Sequence, residues 1–398
     1  MIDRLDDGPA LQRAWSQPFR RAFRVHPRRG KPCGWGRLEP VPWHGAGRFH
    51  TPDRDPGRQL DYHTGCIYPQ DAASQVPAGL LDVQPGDVVI DACAAPGSKS
   101  SQLGLALGDT GVLLCCDVSA PRRRALRENL QRQGIASALV TPLGLDRLAG
   151  QILADAVLVD APCSGHDERS PKQVMRQAKR QLGILVQAAA LLRPGGRLVY
   201  STCTPYRDEN EGVIARFLEQ HSDVQVQPRS LSGCDPDMDQ LGAIRLWPQR
   251  QGTEPFFACR LQRSGTGSMR LPFGECPPVW SGELPAGLAG LHVWQRNERV
   301  FAAPEAVASL ALPSEARGLL LGRQQGGRLD LDPWAVQALI ERGAPAAVIS
   351  HQQACASWAG TETDLPCGYV KTEQGAPLGI SDGRRLVLPS RLRRSTLC

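Results

Sequence analysis

No run of apolar residues in this chain reaches the ~18 that a membrane-spanning helix needs, which argues against a helical membrane protein. The start, Met1-Ile-Asp-Arg4, is without the basic-then-apolar layout of a secretory signal. Cysteine is plentiful at 13, but the number is odd and no Cys-x-x-Cys pair occurs. A disulfide framework and a zinc ribbon are thereby set aside, and a reducing cytoplasm is the expected compartment. The eight His residues show no metal-ligand spacing, so no metal is expected. Gly-x-Gly-x-x-Gly and a Walker ending of Gly-Lys-Ser/Thr are both missing, which removes the commonest dinucleotide and triphosphate loops. Internal repeats are not visible either.

Lysine is scarce, at five of the 46 basic residues. Arginine makes up the rest, and its planar fork pairs bidentately with phosphate. The charge is unevenly spread. Residues 1–60 hold 12 Arg and Lys against 6 Asp and Glu, whereas the remainder balances at 34 of each sign. A cationic segment beside a neutral core points to phosphate contact, since displacing counterions from a nucleic acid is favourable without any base reading. Arg24, Arg28 and Arg29 are the candidates for that contact. A GC-rich coding sequence would raise Arg equally well, and the alternative stays open.

The 398 residues leave room for two or three domains and a substantial core. Residues 1–62 read as irregular and basic. Val88–Ala92 then reads as a buried strand, followed by a helix from about Lys99 to Leu107, a strand Val112–Asp117, and a helix with Pro121 in its first turn. Strand and helix go on alternating through Asp160, a helix near Gln173–Leu192, a strand closing at Cys203, and a helix over Glu209–Gln220. This alternation predicts a parallel, doubly wound α/β core over 63–263, with Phe256–Leu261 as an antiparallel addition. The Gly-, Pro- and Ser-rich stretch 264–288 reads as a linker. Residues 289–398 read as a small α+β domain with strand-like Gly318–Leu321, a helix over Pro333–Glu341 and a basic end.

Three segments carry chemistry. Asp91-Ala-Cys-Ala-Ala-Pro-Gly-Ser-Lys99 joins the first strand to its helix, and small residues there let a ligand approach the backbone and the helix N-terminus. Asp117 ends the second strand, where doubly wound folds place an acid on ribose hydroxyls. Asp160-Ala-Pro-Cys163 and Ser201-Thr-Cys203 each put a thiol at the end of a strand, the side on which open parallel sheets bind ligands. The bland reading of any one cysteine is a small buried hydrophobe, and it is applied to Cys115, Cys116, Cys234, Cys259, Cys276, Cys355, Cys367 and Cys398. Glu209 and Glu211 read as acids favoured by a helix dipole.

Taken together, these segments and Glu209-Asn-Glu211 resemble the RNA cytosine-5 methyltransferases of the RsmB/RsmF and NOP/Sun type. Phe23-Arg-Val-His-Pro27 is similar to the family's Arg-Val-Asn-Pro, with His26 in place of Asn. Val41-Pro-Trp43, Gly65–Gln70 and Arg245–Pro248 also match, and Gly368–Val370, Pro377–Gly379 and Leu388–Arg394 resemble the RsmF-type, PUA-like RNA-binding end. The resemblance implies a Rossmann-like core binding S-adenosylmethionine (SAM) through Cys93, Ala94, Ala95, Pro96, Gly97, Ser98, Lys99, Asp117 and Asp160. It further implies Cys203 as nucleophile, Cys163 as the group that assists release, and Asp160 against the base or cofactor. DNA cytosine methyltransferases attack from a Pro-Cys motif, which would favour Cys163. The chemistry needs such thiols, because a thiolate adding to carbon 6 of cytosine makes carbon 5 nucleophilic. The sequence departs from the family at Ser98, at Thr141–Gly144, where Asp146 is a displaced candidate for the acid near adenine, and at His166–Pro171. The implied partner is RNA, ribosomal before transfer RNA, with no membrane and no obligate protein partner. A nucleotide-linked oxidoreductase and a non-catalytic RNA-binding or ribosome-assembly protein are the rival readings.

Overall fold

The computed structural model describes residues 8–165, 169–326 and 328–387. His166, Asp167 and Glu168 of the unusual loop, and the terminal Leu388–Arg394 stretch, lie outside them. Six strands form the centre: β1 (Val88–Asp91), β2 (Val112–Cys116), β3 (Ala138–Thr141), β4 (Ala154–Asp160), β5 (Leu192–Thr202) and β6 (Phe256–Arg263). Their order is β6-β5-β4-β1-β2-β3, parallel throughout except for β6, which runs antiparallel to β5. β1, β2 and β3 are buried at every residue, as expected of a parallel sheet covered on both faces.

The crossovers have legible causes. Helix α1 (Ser98–Leu107) starts at Gly97, whose φ of +108° is the left-handed conformation that glycine tolerates. Helix α2 (Ala120–Arg132) takes Pro121 in its first turn. Helix α3 (Pro171–Ala190) is opened by a capping box in which Ser170 and Gln173 bond each other's backbone N–H. Helix α4 (Glu211–Gln220) follows the Arg207–Glu209 turn.

The N-terminal region differs from the expectation of irregular chain. Arg21–Val25, Glu39–Val41, His44–His50 and Ile67–Pro69 form a four-stranded sheet, in which Arg21–Val25 pairs Ile67–Pro69 across position 62. Glycines in His44–His50 and a buried Arg24 hide the period-two pattern that strands normally show. Residues 264–288 carry no helix or strand beyond isolated bridges. Two further four-stranded sheets follow, one over 292–331 and one over 347–387, with Pro333–Glu341 helical as expected. Ala316–Arg317 pairs antiparallel with β3, so the C-terminal region extends the central sheet. Among the described residues no helix is long and apolar enough to cross a membrane.

Candidate active site

The carboxyl ends of β1, β2, β4 and β5 open onto one cavity of about 510 Å³, within the ~300–1,000 Å³ usual for ligand sites. Cys93, Asp117, Asp160, Cys163 and Cys203 all line it. The parallel register sets Asp160 beside Ser201, which brings the two cysteine-bearing loops together. Cys163 Sγ and Cys203 Sγ are 3.1 Å apart. The hydrogen bond from Cys203 holds the Cys163 thiol below its ordinary value, while the same contact, aided by burial, pushes Cys203 up. Two such thiols share one proton readily and part with the second reluctantly.

Asp160 is fixed on both oxygens. Lys99 Nζ donates to Oδ2 at 2.7 Å and Ser201 donates to Oδ1 at 2.8 Å. Lys99 also donates to Ser74 Oγ at 2.8 Å, so its charge is committed to the Asp160 carboxylate. Asp117 accepts from the Ser119 N–H at 2.9 Å and pairs with Arg122 at 3.2 Å. Its second oxygen lies 3.3 Å from the Ala95 N–H, which ties the acid to the turn after β1. Ala94, Ala95, Pro96, Gly97 and Ser98 shape that turn rather than lining the cavity. Burial pushes the Cys93 thiol up to about 12, so it stays protonated near neutrality. Burial likewise pushes Asp91 up to about 7, against the bond donated by Ser100.

Several contributors escape sequence reading. Glu209 is fully buried, and its Oε2 accepts from the Ser164 N–H at 3.0 Å and from Gln181 at 2.7 Å. Gln181 also donates to the Pro162 carbonyl at 3.0 Å, so an acid taken for a helix-turn residue clamps the loop bearing Cys163. Asp146, the displaced candidate of the sequence, lines the side after β3, and Arg180, Ile184 and Gln187 of α3 form the far wall. Their partners are remote in sequence, and no local signal marks them. Cys115, Cys116 and Cys259 are buried as expected, Cys234, Cys276 and Cys355 are half-buried, Cys367 is exposed, and Cys398 lies outside the described residues.

The reading of Arg24 and Arg29 as phosphate contacts needs correction, whereas Arg28 is exposed. Arg24 is 3% exposed and donates to Ser101 Oγ at 2.7 Å and the Ser98 carbonyl at 3.1 Å. Arg29 is fully buried, 2.8 Å from Glu341, and Arg28 pairs with the same carboxylate at 2.7 Å. Composition counts charges but cannot tell an internal strut from a solvent-facing one.

Residues 78–262 match the family described as 16S rRNA methyltransferase RsmB/F. The ribosomal RNA small subunit methyltransferase F of Shewanella amazonensis is 35% identical over 257 residues, 59% of this chain and 54% of that protein. Its namesake from Salmonella arizonae is 32% identical over 350 residues, 75% of this chain and 72% of the relative. The chain therefore spans between about half and three quarters of the length of these relatives. Among solved structures, a methyltransferase homolog protein from Pyrococcus horikoshii is 29% identical with a TM-score of 0.59, covering 65% of this chain and 91% of its own.

Proposed function

The chain belongs to the RsmB/F methyltransferase family, and we propose that it methylates carbon 5 of a cytosine in small-subunit ribosomal RNA by covalent cysteine catalysis. The observation that carries this reading is the pair of thiols 3.1 Å apart beside Asp160, at the ends of neighbouring strands. The ribosomal substrate is taken from what the relatives are named for.

The cofactor is S-adenosylmethionine, and the donor set suits it. Asp117 at the end of β2 matches ribose hydroxyls, while the small-residue turn before α1 leaves room for close approach. When bound, SAM supplies an electrophilic methyl group on a positively charged sulfur.

The residues of this chain do the rest. In the resting pair the proton sits on Cys203, and its transfer to Cys163 makes Cys203 the thiolate that adds to carbon 6. The carbon 5–carbon 6 electrons thereby become available at carbon 5. Asp160, anchored by Lys99 and Ser201, relays a proton to N3 as negative charge builds on the ring and takes it back as the adduct collapses. Cys163 passes its proton to solvent, then removes the proton on the methylated carbon 5. Those C–H electrons restore the double bond and expel Cys203 as thiolate, which returns the pair to its starting charge.

Incubating the protein with methyl-labelled SAM and total RNA, then mapping 5-methylcytosine, tests this reading. Label in small-subunit ribosomal RNA at carbon 5 is expected. Label confined to transfer RNA, or to another base atom, would overturn it.

A further inference from the structure

A second cleft lies between the outer face of α2 and the sheet over 292–331, formed by adjoining cavities of about 340 and 280 Å³. Three arginines line its sheet side in one cross-strand row. Arg296 pairs in register with Arg299, and Arg299 with Arg323. Like charges directly opposite on neighbouring strands destabilise a sheet. All three are exposed, and among the described residues none forms an ion pair, although Asp330 follows Arg323 in register. The acids that face the cleft are occupied elsewhere. Glu315 pairs with Arg123 at 2.5 Å and Arg127 at 3.3 Å, Glu128 lies 3.4 Å from Arg124, and Asp332 caps the next helix. With Asp330 opposite only one end, the row keeps a net positive charge that costs stability and suits an anionic partner.

Beside the row, Trp294 and Phe301 stack with centroids 5.6 Å apart, and Phe301 lines both cavities. Arginines flanking an aromatic surface match the phosphates and planar bases of single-stranded nucleic acid. Helix α2 stands between the cleft and the methyl-transfer site, with Arg122 lining the catalytic cavity and Arg124 the cleft.

We propose that this cleft binds a single-stranded stretch of the substrate RNA flanking the target cytosine, with Arg296, Arg299 and Arg323 on phosphates and Phe301 against a base. The proposal rests on the RNA methyltransferase reading and adds the surface that grips the substrate away from the reacting base.

The test uses the full-length protein and the variant R296A/R299A/R323A, with a labelled single-stranded RNA of about 20 nucleotides titrated at several salt concentrations. Each single-strand phosphate contact contributes roughly 0.7 to the log-log salt slope, so losing three should lower the slope by about 2. The charge-preserving R296K/R299K/R323K should keep most of it. SAM affinity by calorimetry should match wild type, and the melting temperature should not fall, because the removed charges oppose one another. An unchanged salt slope and RNA affinity would overturn the proposal. So would wild-type protein binding duplex RNA or polyglutamate as tightly as the single strand. If wild type transfers no methyl group to RNA, the catalytic reading fails instead, and the binding titration still judges the cleft on its own.

Discussion

The guanidinium of Arg24 lies 3.1 Å from the carbonyl oxygen of Ser98, so the N-terminal sheet is bolted to the turn that opens α1. Burial brings Arg24 down to about 10, which leaves it charged at neutral pH. Bonds to Ser101 and to Gln70 share that charge. Arg24→Ala should therefore loosen the cofactor turn and destabilise the fold by about 3 kcal/mol, as expected when partners of a buried charge are left unsatisfied. Calorimetry should show weaker SAM binding, while the salt dependence of RNA binding stays at the wild-type slope. A flattened slope with unchanged SAM affinity would restore Arg24 as a phosphate contact.

Asp117 should act on the cofactor alone. In Asp117→Ala the hydrogen bonds offered to the ribose disappear, which should weaken SAM by about 1.5–3 kcal/mol, the scale for bonds to a charged group. RNA affinity should be unaffected. A folded variant with wild-type SAM affinity would remove Asp117 from the cofactor site.

His26 makes folding sensitive to acid. Burial, with Arg29 nearby, brings its imidazole from 6.5 down to about 3. Between those values the unfolded chain holds a proton at His26 that the folded chain does not. Stability therefore falls as pH is lowered through that window, by up to about 1.4 kcal/mol for each pH unit. Burial pushes Glu341 up, but Arg29, His26 and Arg28 more than offset it and hold the carboxyl down at about 2, so it remains charged across the same range. Denaturant unfolding of His26→Asn should lose less stability than wild type as pH falls below 6.5. Parallel curves for the two proteins would contradict this account.

The core was legible because its signals are local. Pro121, the punctuating Pro-Gly turns and the apolar runs of β1, β2 and β3 fix the alternation of strand and helix. The same alternation puts Cys163 and Cys203 on one edge before any distance is known. The N-terminal sheet was hidden because its strands carry glycine and bury arginine, and its stability comes from contacts such as Arg24 to Ser101, 77 residues away. Glu209 was misjudged for a related reason. A helix-turn acid and a loop clamp have the same local sequence, and the partner Ser164 lies 45 residues earlier. The arginine row depends on hairpin register, which composition cannot supply. Counting charge placed the cationic surface in residues 1–60, whereas two of the arginines singled out there are interior.

The division of labour between the two thiols is the centre of the account, and trapping the covalent protein–RNA complex on denaturing gels tests it most directly. Cys203→Ala should show neither methyl transfer nor adduct, because no thiolate reaches carbon 6. Cys163→Ala should still attack and accept the methyl group, but the proton on carbon 5 would then leave slowly, so an adduct with substrate RNA should accumulate. An adduct in Cys203→Ala and none in Cys163→Ala would hand the nucleophile to Cys163. Full turnover in both variants would contradict covalent cysteine catalysis altogether.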